Sequence, residues 1–475
     1  MRTRLLSTLA AAAVLAGCAA GPDYQAPGTP PSAGGAFVAS AEPVFTPEAP
    51  PADWWRLYQD PALETLVAEA LANNREIAVA RANLERVRAV LGETRAARLP
   101  GTLVSGSAQR VRQPDPFTGE GVEDTVSSAG IDVSYEVDLF GRIGRSVEAA
   151  QADAGAAQAV LDAVRITVAG ETARAYADAC AANMQIAAGE RAVKLQQDTY
   201  DLTRRQLDVG RGNGLDVASA ASELETTRAA LPPFRAAREA ALFRLAVLTG
   251  RPPAEAPAAV RDCPTVPTLA RPIPVGDGTQ LLRRRPDVRE AERRLAAATA
   301  RIGVATADLY PRVTLGGALS TNDAGGSFGD DFSFSIGPLI QWSFPNVAAA
   351  RARVRQASAG ADAALAQFEQ TTLSALQETE TALVRYAREL DRRAALERAL
   401  EAGREAARLS RMRYEAGADS LLAVLIAEQR VAQLELQLAQ SQAAAADGQI
   451  VLFKALGGGW DTPQAQATAR AAVEG

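Results

Sequence analysis

Three cysteines, 56 carboxylates and no histidine set what chemistry this chain of 475 residues can do. Without histidine it lacks the commonest general base, proton shuttle and transition-metal ligand at once. Cys18, Cys180 and Cys263 form no CxxC pair and no zinc spacing. Cys180 falls in a helical stretch and Cys263 in a proline-rich one, so both are expected to stay unpaired. No nucleophile elbow or Walker loop occurs. Acidic pairs are plentiful, but a pair on a helix face is ordinarily a solvated pair. The chain therefore reads as a non-enzyme with no metal and no cofactor. Its formal charge of −6 offers no basic surplus for phosphates, so nucleic acid is not an expected partner.

Cys18 is the one cysteine with a chemical context. Arg2 and Arg4 precede a short apolar run, Leu5 to Leu15, which leads into Leu15-Ala16-Gly17-Cys18. This resembles the lipobox of bacterial lipoproteins, in which the thiol receives diacylglycerol. The expectation is removal of residues 1–17 and lipid anchoring of Cys18. Ala19, rather than Asp, follows, which resembles an outer-membrane address. Beyond residue 18 no run of 18 apolar residues occurs. A membrane crossing would have to use strands of a closed barrel.

The elements that must position these residues are written twice. Leu84, Leu91 and Pro100 match Leu295, Ile302 and Pro311, while Gly210, Leu215, Val217, Leu245 and Gly250 match Gly417, Leu422, Val424, Leu452 and Gly457. The expected organisation is an extended arm over 18–61, one repeat over 62–250, a proline-rich linker over 251–284, a second repeat over 285–457 and a tail over 458–475. Each repeat reads as helix (62–98; 285–309), two strands (101–112 and 126–139; 312–322 and 331–344), a very long helix (144–209; 347–416), a glycine turn and a medium helix (216–249; 420–456). Leu376, Leu383 and Leu390, and Val424, Val431, Leu438, Ala445 and Leu452, recur every seventh residue, which predicts a supercoiled helical wall. Helices near 66 residues span roughly 100 Å, matched by two shorter ones end to end.

The strands alternate. Ala129, Ile131, Val133, Tyr135, Val137 and Leu139 share one face, and Ser128, Gly130, Asp132, Ser134, Glu136 and Asp138 the other. Phe332, Phe334, Ile336, Ile340, Trp342 and Phe344 alternate with small and polar residues in the same way. In a membrane barrel this places Asp132, Glu136 and Asp138 in the lumen. A half-buried soluble sheet shows the same alternation. Four strands fall short of the minimum of about eight for a membrane barrel, so such strands would need further chains.

Several motifs stand in a recognisable order. They are Asp53-Trp54-Trp55 with Asp60-Pro61-Ala62-Leu63, Tyr135 to Arg142, Arg285-Pro286-Asp287-Val288-Arg289-Glu290-Ala291-Glu292, and Leu309-Tyr310-Pro311-Arg312-Val313-Thr314-Leu315. The chain resembles the TolC family of outer-membrane efflux channels, in its lipoprotein (OprM-like, NodT-type) branch. The resemblance implies an α+β membrane protein with internal duplication. A long coiled-coil α-helical barrel would join a trimeric twelve-stranded transmembrane β-barrel, four strands per chain. It also implies a homotrimer, contact with outer-membrane lipid, a periplasmic membrane-fusion adaptor and an inner-membrane pump of the resistance-nodulation-division type. The location would be the outer membrane of a Gram-negative bacterium, with a helical part in the periplasm.

In that family the two helix-turn-helix tips close the periplasmic end and meet the adaptor. Here they carry Gly210, Gly212, Gly214, Leu215 and Asp216, and Arg411, Arg413, Tyr414, Gly417, Asp419 and Leu422. Leu422 matches an apolar ring at the closed aperture, and Ile426 stands where relatives often carry an acid. Asp216 and Asp419 remain as tip carboxylates, and Arg411, Arg413 and Tyr414 are candidates for the bonds that hold the tips shut. The glycines are the candidate adaptor contacts. The competing reading is a periplasmic adaptor-type lipoprotein, which normally has one hairpin rather than two copies.

Overall fold

The computed structural model describes residues 20–28, 33–114, 117, 119–257, 260–269, 271–324 and 332–458. Cys18 and the leader lie outside the described residues. In chain order, β1 is Phe45–Thr46, α1 Pro61–Asn73, α2 Arg75–Ala96, β2 Gly101–Pro114, β3 Gly121–Val137 and α3 Arg142–Asp208. Next come α4 Gly214–Ala229, α5 Leu231–Leu248, β4 Ile273–Pro274, α6 Gly278–Arg284 and α7 Pro286–Ala307. The order closes with β5 Arg312–Ala324, β6 Phe332–Gln341, α8 Ala348–Glu415 and α9 Leu421–Ala455.

Two of the expected helices are broken, each for a local reason. The helix expected over 62–98 stops at Asn74, whose backbone turns extended. Asn74 Oδ1 then accepts the N–H groups of Glu76 and Ile77, and its Nδ2 donates to the carbonyl of Leu248. This is a side-chain cap replacing orphaned helical bonds. The helix expected over 216–249 breaks at Ala230, ahead of Pro232 and Pro233. Proline is tolerated in the first turn of a new helix and not inside an old one. The linker also carries β4 and α6.

The chain folds as two compact units that cut across the sequence repeat. The first comprises the described residues within 20–28, 82–158 and 289–370. It holds one antiparallel sheet in the order β2-β3-β5-β6. Its N-terminal arm is pinned by Tyr24, which donates to Glu292, and by Arg145, which pairs with Asp23 at 2.5 Å. Tyr24 packs on Ala152, Ala296 and Ala297, where small side chains let the arm lie close to the helices.

The second unit comprises residues 29–81, 159–288 and 371–475. Its core gathers Trp54, Leu242, Leu245, Leu383, Leu452 and Phe453, with Trp54 stacked on Phe453 at 4.9 Å. Several of the sequence motifs are joints of this core. Asp60 caps α1 through the N–H groups of Ala62 and Leu63 and accepts the Tyr176 hydroxyl at 2.7 Å. Arg285 binds Asp287, Glu378 and the carbonyl of Ala455. Burial works against the Arg285 charge, but Asp287 and Glu378 outweigh it and its pKa is raised. The heptad leucines and valines face inward as expected, Leu383, Val424, Val431 and Leu452 among them.

Cys180 and Cys263, expected to be unpaired, form a disulfide. The linker folds back along α3 and brings their Cα atoms to 5.2 Å, within bridging range. Proline-rich composition marks a linker without showing where it runs.

Candidate functional site

In the first unit the candidate is the sheet itself. Its register joins Val104, Ile131, Leu319 and Phe334 into one row across all four strands. Val137, Val313 and Ile340 form another row on the same face, as do Tyr135, Leu315 and Pro338. The opposite face carries Ser105, Gly130, Ser320 and Ser333 in one row, and Ser107 pairs with Ser128 at 2.8 Å. Leu103, Val111, Val126 and Leu339 are apolar exceptions on this polar face. Arg110, Arg112 and Glu123 are charged ones at the far end of the apolar face, where both arginines pair with Glu123. The apolar face is open: Phe334 is 80% and Ile336 86% exposed within the chain. So large an apolar surface marks contact with lipid or with another protein. Both edge strands, β2 and β6, lack a partner on one side among the described residues. At the sheet's helix end Phe140 stacks on Tyr310 and Trp342 on Phe344, and the Trp342 indole N–H reaches the carbonyl of Leu309.

The structure separates the three carboxylates grouped by alternation. Asp132 lies exposed on the polar face. Glu136 is on that face too, but it is clasped by Arg142 at 2.8 and 2.5 Å. That hydrogen bond, together with the nearby carboxylate charges, raises the Arg142 pKa. Asp138 is a correction to the strand reading. β3 ends at Val137, and Asp138 accepts the N–H groups of Ile143 and Gly144 at the start of α3. Its charge serves the positive end of a helix. Gly141, at φ 76°, makes the corner between them.

In the second unit the candidates are the two tips, and they are built alike. Gly210 and Gly417 both have φ 72°. The N–H of Arg211 bonds the Gln206 carbonyl, and that of Ala418 bonds the Arg413 carbonyl, each at 2.8 Å. This is the left-handed helix stop that a side chain would strain. Gly212 has its own constraint, since a Cβ there would come within 2.9 Å of the Leu207 nitrogen. Gly214 is the first residue of α4 rather than part of the turn, with Asn213 as cap accepting the Asp216 N–H.

The predicted tip side chains divide into two sets. Leu215, Leu422 and Ile426 are 75%, 64% and 58% exposed. Ile426 sits one helical turn from Leu422, on the same side of α9. Arg413 and Asp419 pair at 3.3 Å within one tip. Tyr414 donates to Gln206 of the other hairpin. Burial raises the Tyr414 pKa, against the Gln206 hydrogen bond and with help from the Asp216 charge. Arg411 turns inward, away from the predicted company of Arg413. It contacts Glu428 at 2.5 Å and Thr199 at 2.9 Å, while Thr199 donates to the other Glu428 oxygen at 3.0 Å. Glu428 is only 2% exposed. Arg411 and Tyr414 therefore each tie α8 to α3, across the two hairpins. Glu428, Thr199 and Gln206 were missed in the sequence. The available signal was an acid four residues after Val424 and three before Val431, on the heptad seam.

The first unit thus offers a two-faced sheet, and the second offers paired hairpins with apolar tips. Residues 66–251 and 278–458 match the family model for outer membrane efflux protein. The chain belongs to the outer membrane efflux protein family. Antibiotic efflux pump outer membrane protein ArpC of Pseudomonas putida is 32% identical over 485 residues, covering 100% of this chain and 99% of that one. The solved structure of the outer-membrane channel OprN is 36% identical, with TM-score 0.87, over 93% of this chain and 100% of that one. The open-state crystal structure of the MtrE outer membrane channel of Neisseria gonorrhoeae is 27% identical, with TM-score 0.79, over 94% and 99%. This outer membrane efflux protein is thus an efflux channel of a Gram-negative outer membrane, in a family of transport proteins. Among the described residues no helix is long and apolar enough to cross a membrane, and no cluster of metal-ligating side chains occurs.

Proposed function

We propose that three copies of the chain close one barrel and one helical duct, with the Ser/Gly face of the sheet lining the lumen and the apolar face in lipid. The duct receives its cargo from an inner-membrane pump of the resistance-nodulation-division type through a periplasmic adaptor, and the chain performs no catalysis of its own. The observation that carries this is the division of the helix-proximal part of the sheet into one apolar and one polar face, with both edges unpaired among the described residues. Unpaired strand edges are not tolerated in hydrocarbon, and four strands are too few to close. Crosslinking in intact envelopes and pull-down of this chain is expected to recover an adaptor and a pump. Recovery of neither would remove the tripartite reading.

The tips act as the gate. Arg411 and Tyr414 latch one hairpin to the other, and Leu215, Leu422 and Ile426 supply an apolar closure. The similar MtrE channel has been crystallised in an open state, so opening is within reach of the fold. The glycine stops at Gly210 and Gly417 are the adaptor's contact. Cys18 anchors the chain by its acyl groups. Mass spectrometry of the mature N-terminus should find an acylated Cys18, and an unmodified N-terminus elsewhere would refute the anchor.

Charge on the polar face sets ion preference. With Glu136 held by Arg142 and Asp138 capping α3, Asp132 is the one of these three carboxylates left as an exposed fixed charge facing the lumen. Negative charge in a narrow pore enriches cations. Bilayer recordings should show a modest cation preference that Asp132→Asn largely abolishes. Glu136→Gln should push selectivity further toward anions, because it leaves Arg142 unbalanced. Anion preference in the unaltered protein would overturn this assignment of faces.

A further inference from the structure

The Cys180–Cys263 bond fastens something with a defined path. Beside Cys180 on α3, Asn183 Nδ2 donates to the carbonyls of Arg261 at 3.0 Å and Cys263 at 3.1 Å. The Val266 N–H reaches Met184 Sδ at 3.4 Å, and Val260 and Val266 are buried. Further along the linker, β4 pairs in parallel with β1: the Ile273 N–H donates to Val44 at 2.8 Å and the Val275 N–H to Thr46 at 3.0 Å. β1 belongs to the N-terminal arm, which is held on α8. There Glu380 accepts the N–H groups of Val38 and Ala39 at 2.7 and 3.1 Å, and the Phe45 ring lies 6.2 Å from that of Tyr386. Linker and arm therefore make one belt across the second unit, attached to α3 at one end and α8 at the other. Its central splice is two strands of two residues each. Such a splice is marginal alone. Apart from the backbone itself, the disulfide is the belt's single covalent tie to a helix among the described residues.

We infer that Cys180 and Cys263 are an oxidative modification site that locks this belt, and that without the bond the belt opens locally while the helices stay folded. The chemistry is thiol–disulfide exchange with a disulfide-bearing exchange protein of the oxidising envelope. The thiolate of one cysteine attacks a sulfur of that disulfide, forming a mixed disulfide and releasing one thiolate of the exchange protein. The thiolate of the second cysteine then attacks the first cysteine's sulfur and expels the exchange protein as a dithiol. Two electrons pass to the exchange protein, and the two protons lost by the cysteines balance its two new thiols. In the folded unit Cys180 is 0% exposed. The exchange must therefore precede complete docking of the linker, and the finished bond is shielded from reductants.

The site is tested by alkylating the envelope-extracted protein under denaturing, non-reducing conditions and weighing it. No label at Cys180 or Cys263 is expected, and two labels after reduction. Two free thiols before reduction would overturn the proposal. The belt is tested by hydrogen exchange on a Cys180→Ser/Cys263→Ser pair. The amides of Val266, Ile273 and Val275 are expected to exchange at least roughly tenfold faster, with exchange in α8 and α9 unchanged. Unchanged belt amides would show that the bond locks nothing, and uniformly faster exchange would show that it holds the whole unit instead. If the serine pair does not fold, the Cys180→Ala/Cys263→Ala pair is measured in the same way. Failure of both pairs to fold counts against a local lock. None of these readouts depends on the tips acting as a gate.

Discussion

Changing Leu422 and Ile426 together to serine is expected to raise single-channel conductance and to sensitise cells to large antibiotics, at normal yield of assembled channel. Both side chains are largely exposed within the chain, so neither carries the packing of α9. Leu421, Val424 and Leu425 do that, all of them buried. A surface change away from the core ordinarily shifts stability by no more than about 0.5 kcal/mol. Around the threefold axis of the proposed trimer, however, the same side chains would meet their copies. Burying a leucine is worth about 1.5–3 kcal/mol, so even one lost contact shifts a closed–open equilibrium by about tenfold or more. Planar-bilayer recording with a drug-susceptibility assay checks this. Unchanged conductance would move the gate to the polar latches.

Those latches give the second large effect. Arg411→Ala leaves the carboxylate of Glu428 buried with only the Thr199 hydroxyl, and a buried charge without its partner costs about 3–5 kcal/mol. Glu428→Gln is expected to cost less, because the Arg411 side chain is one-third exposed and can turn to water. The pair Arg411→Met/Glu428→Leu should recover most of the loss, since apolar side chains of similar size replace a buried ion pair well. Thermal unfolding of the detergent-extracted protein, with hydrogen exchange over Leu421 to Leu434, measures all three. If Arg411→Ala and Glu428→Gln prove equally mild, the pair is not the latch described above. Leakage to large antibiotics should follow the same order.

Much of this was legible in the sequence because it is written in periodicities. The repeat offset that joins Gly210 to Gly417 and Gly250 to Gly457 reappears as four glycine helix stops of one construction, all with positive φ. Strand alternation marks the two faces of the sheet, and the register keeps them in line over four strands near the helices. What escaped was set by partners distant in the chain. Asn74 reads as a tolerable helix residue until the Leu248 carbonyl is beside it. Alternation cannot show where a strand stops, and Asp138 lies just past the end of β3, where it caps α3. Cys180 and Cys263 are separated by 83 residues, and only the return path of the linker makes them neighbours. At the tip, Glu428 lies inside the seam, and only the partners Arg411 and Thr199, far apart in the chain, make an acid there stable.

The mass of the detergent-extracted assembly, measured under native conditions, tests most directly whether one sheet is a third of a barrel. The two open edges call for further chains, and the trimer proposed above predicts three of them in a stable complex. A stable monomer would contradict the shared barrel, and with it the duct that the polar face is proposed to line.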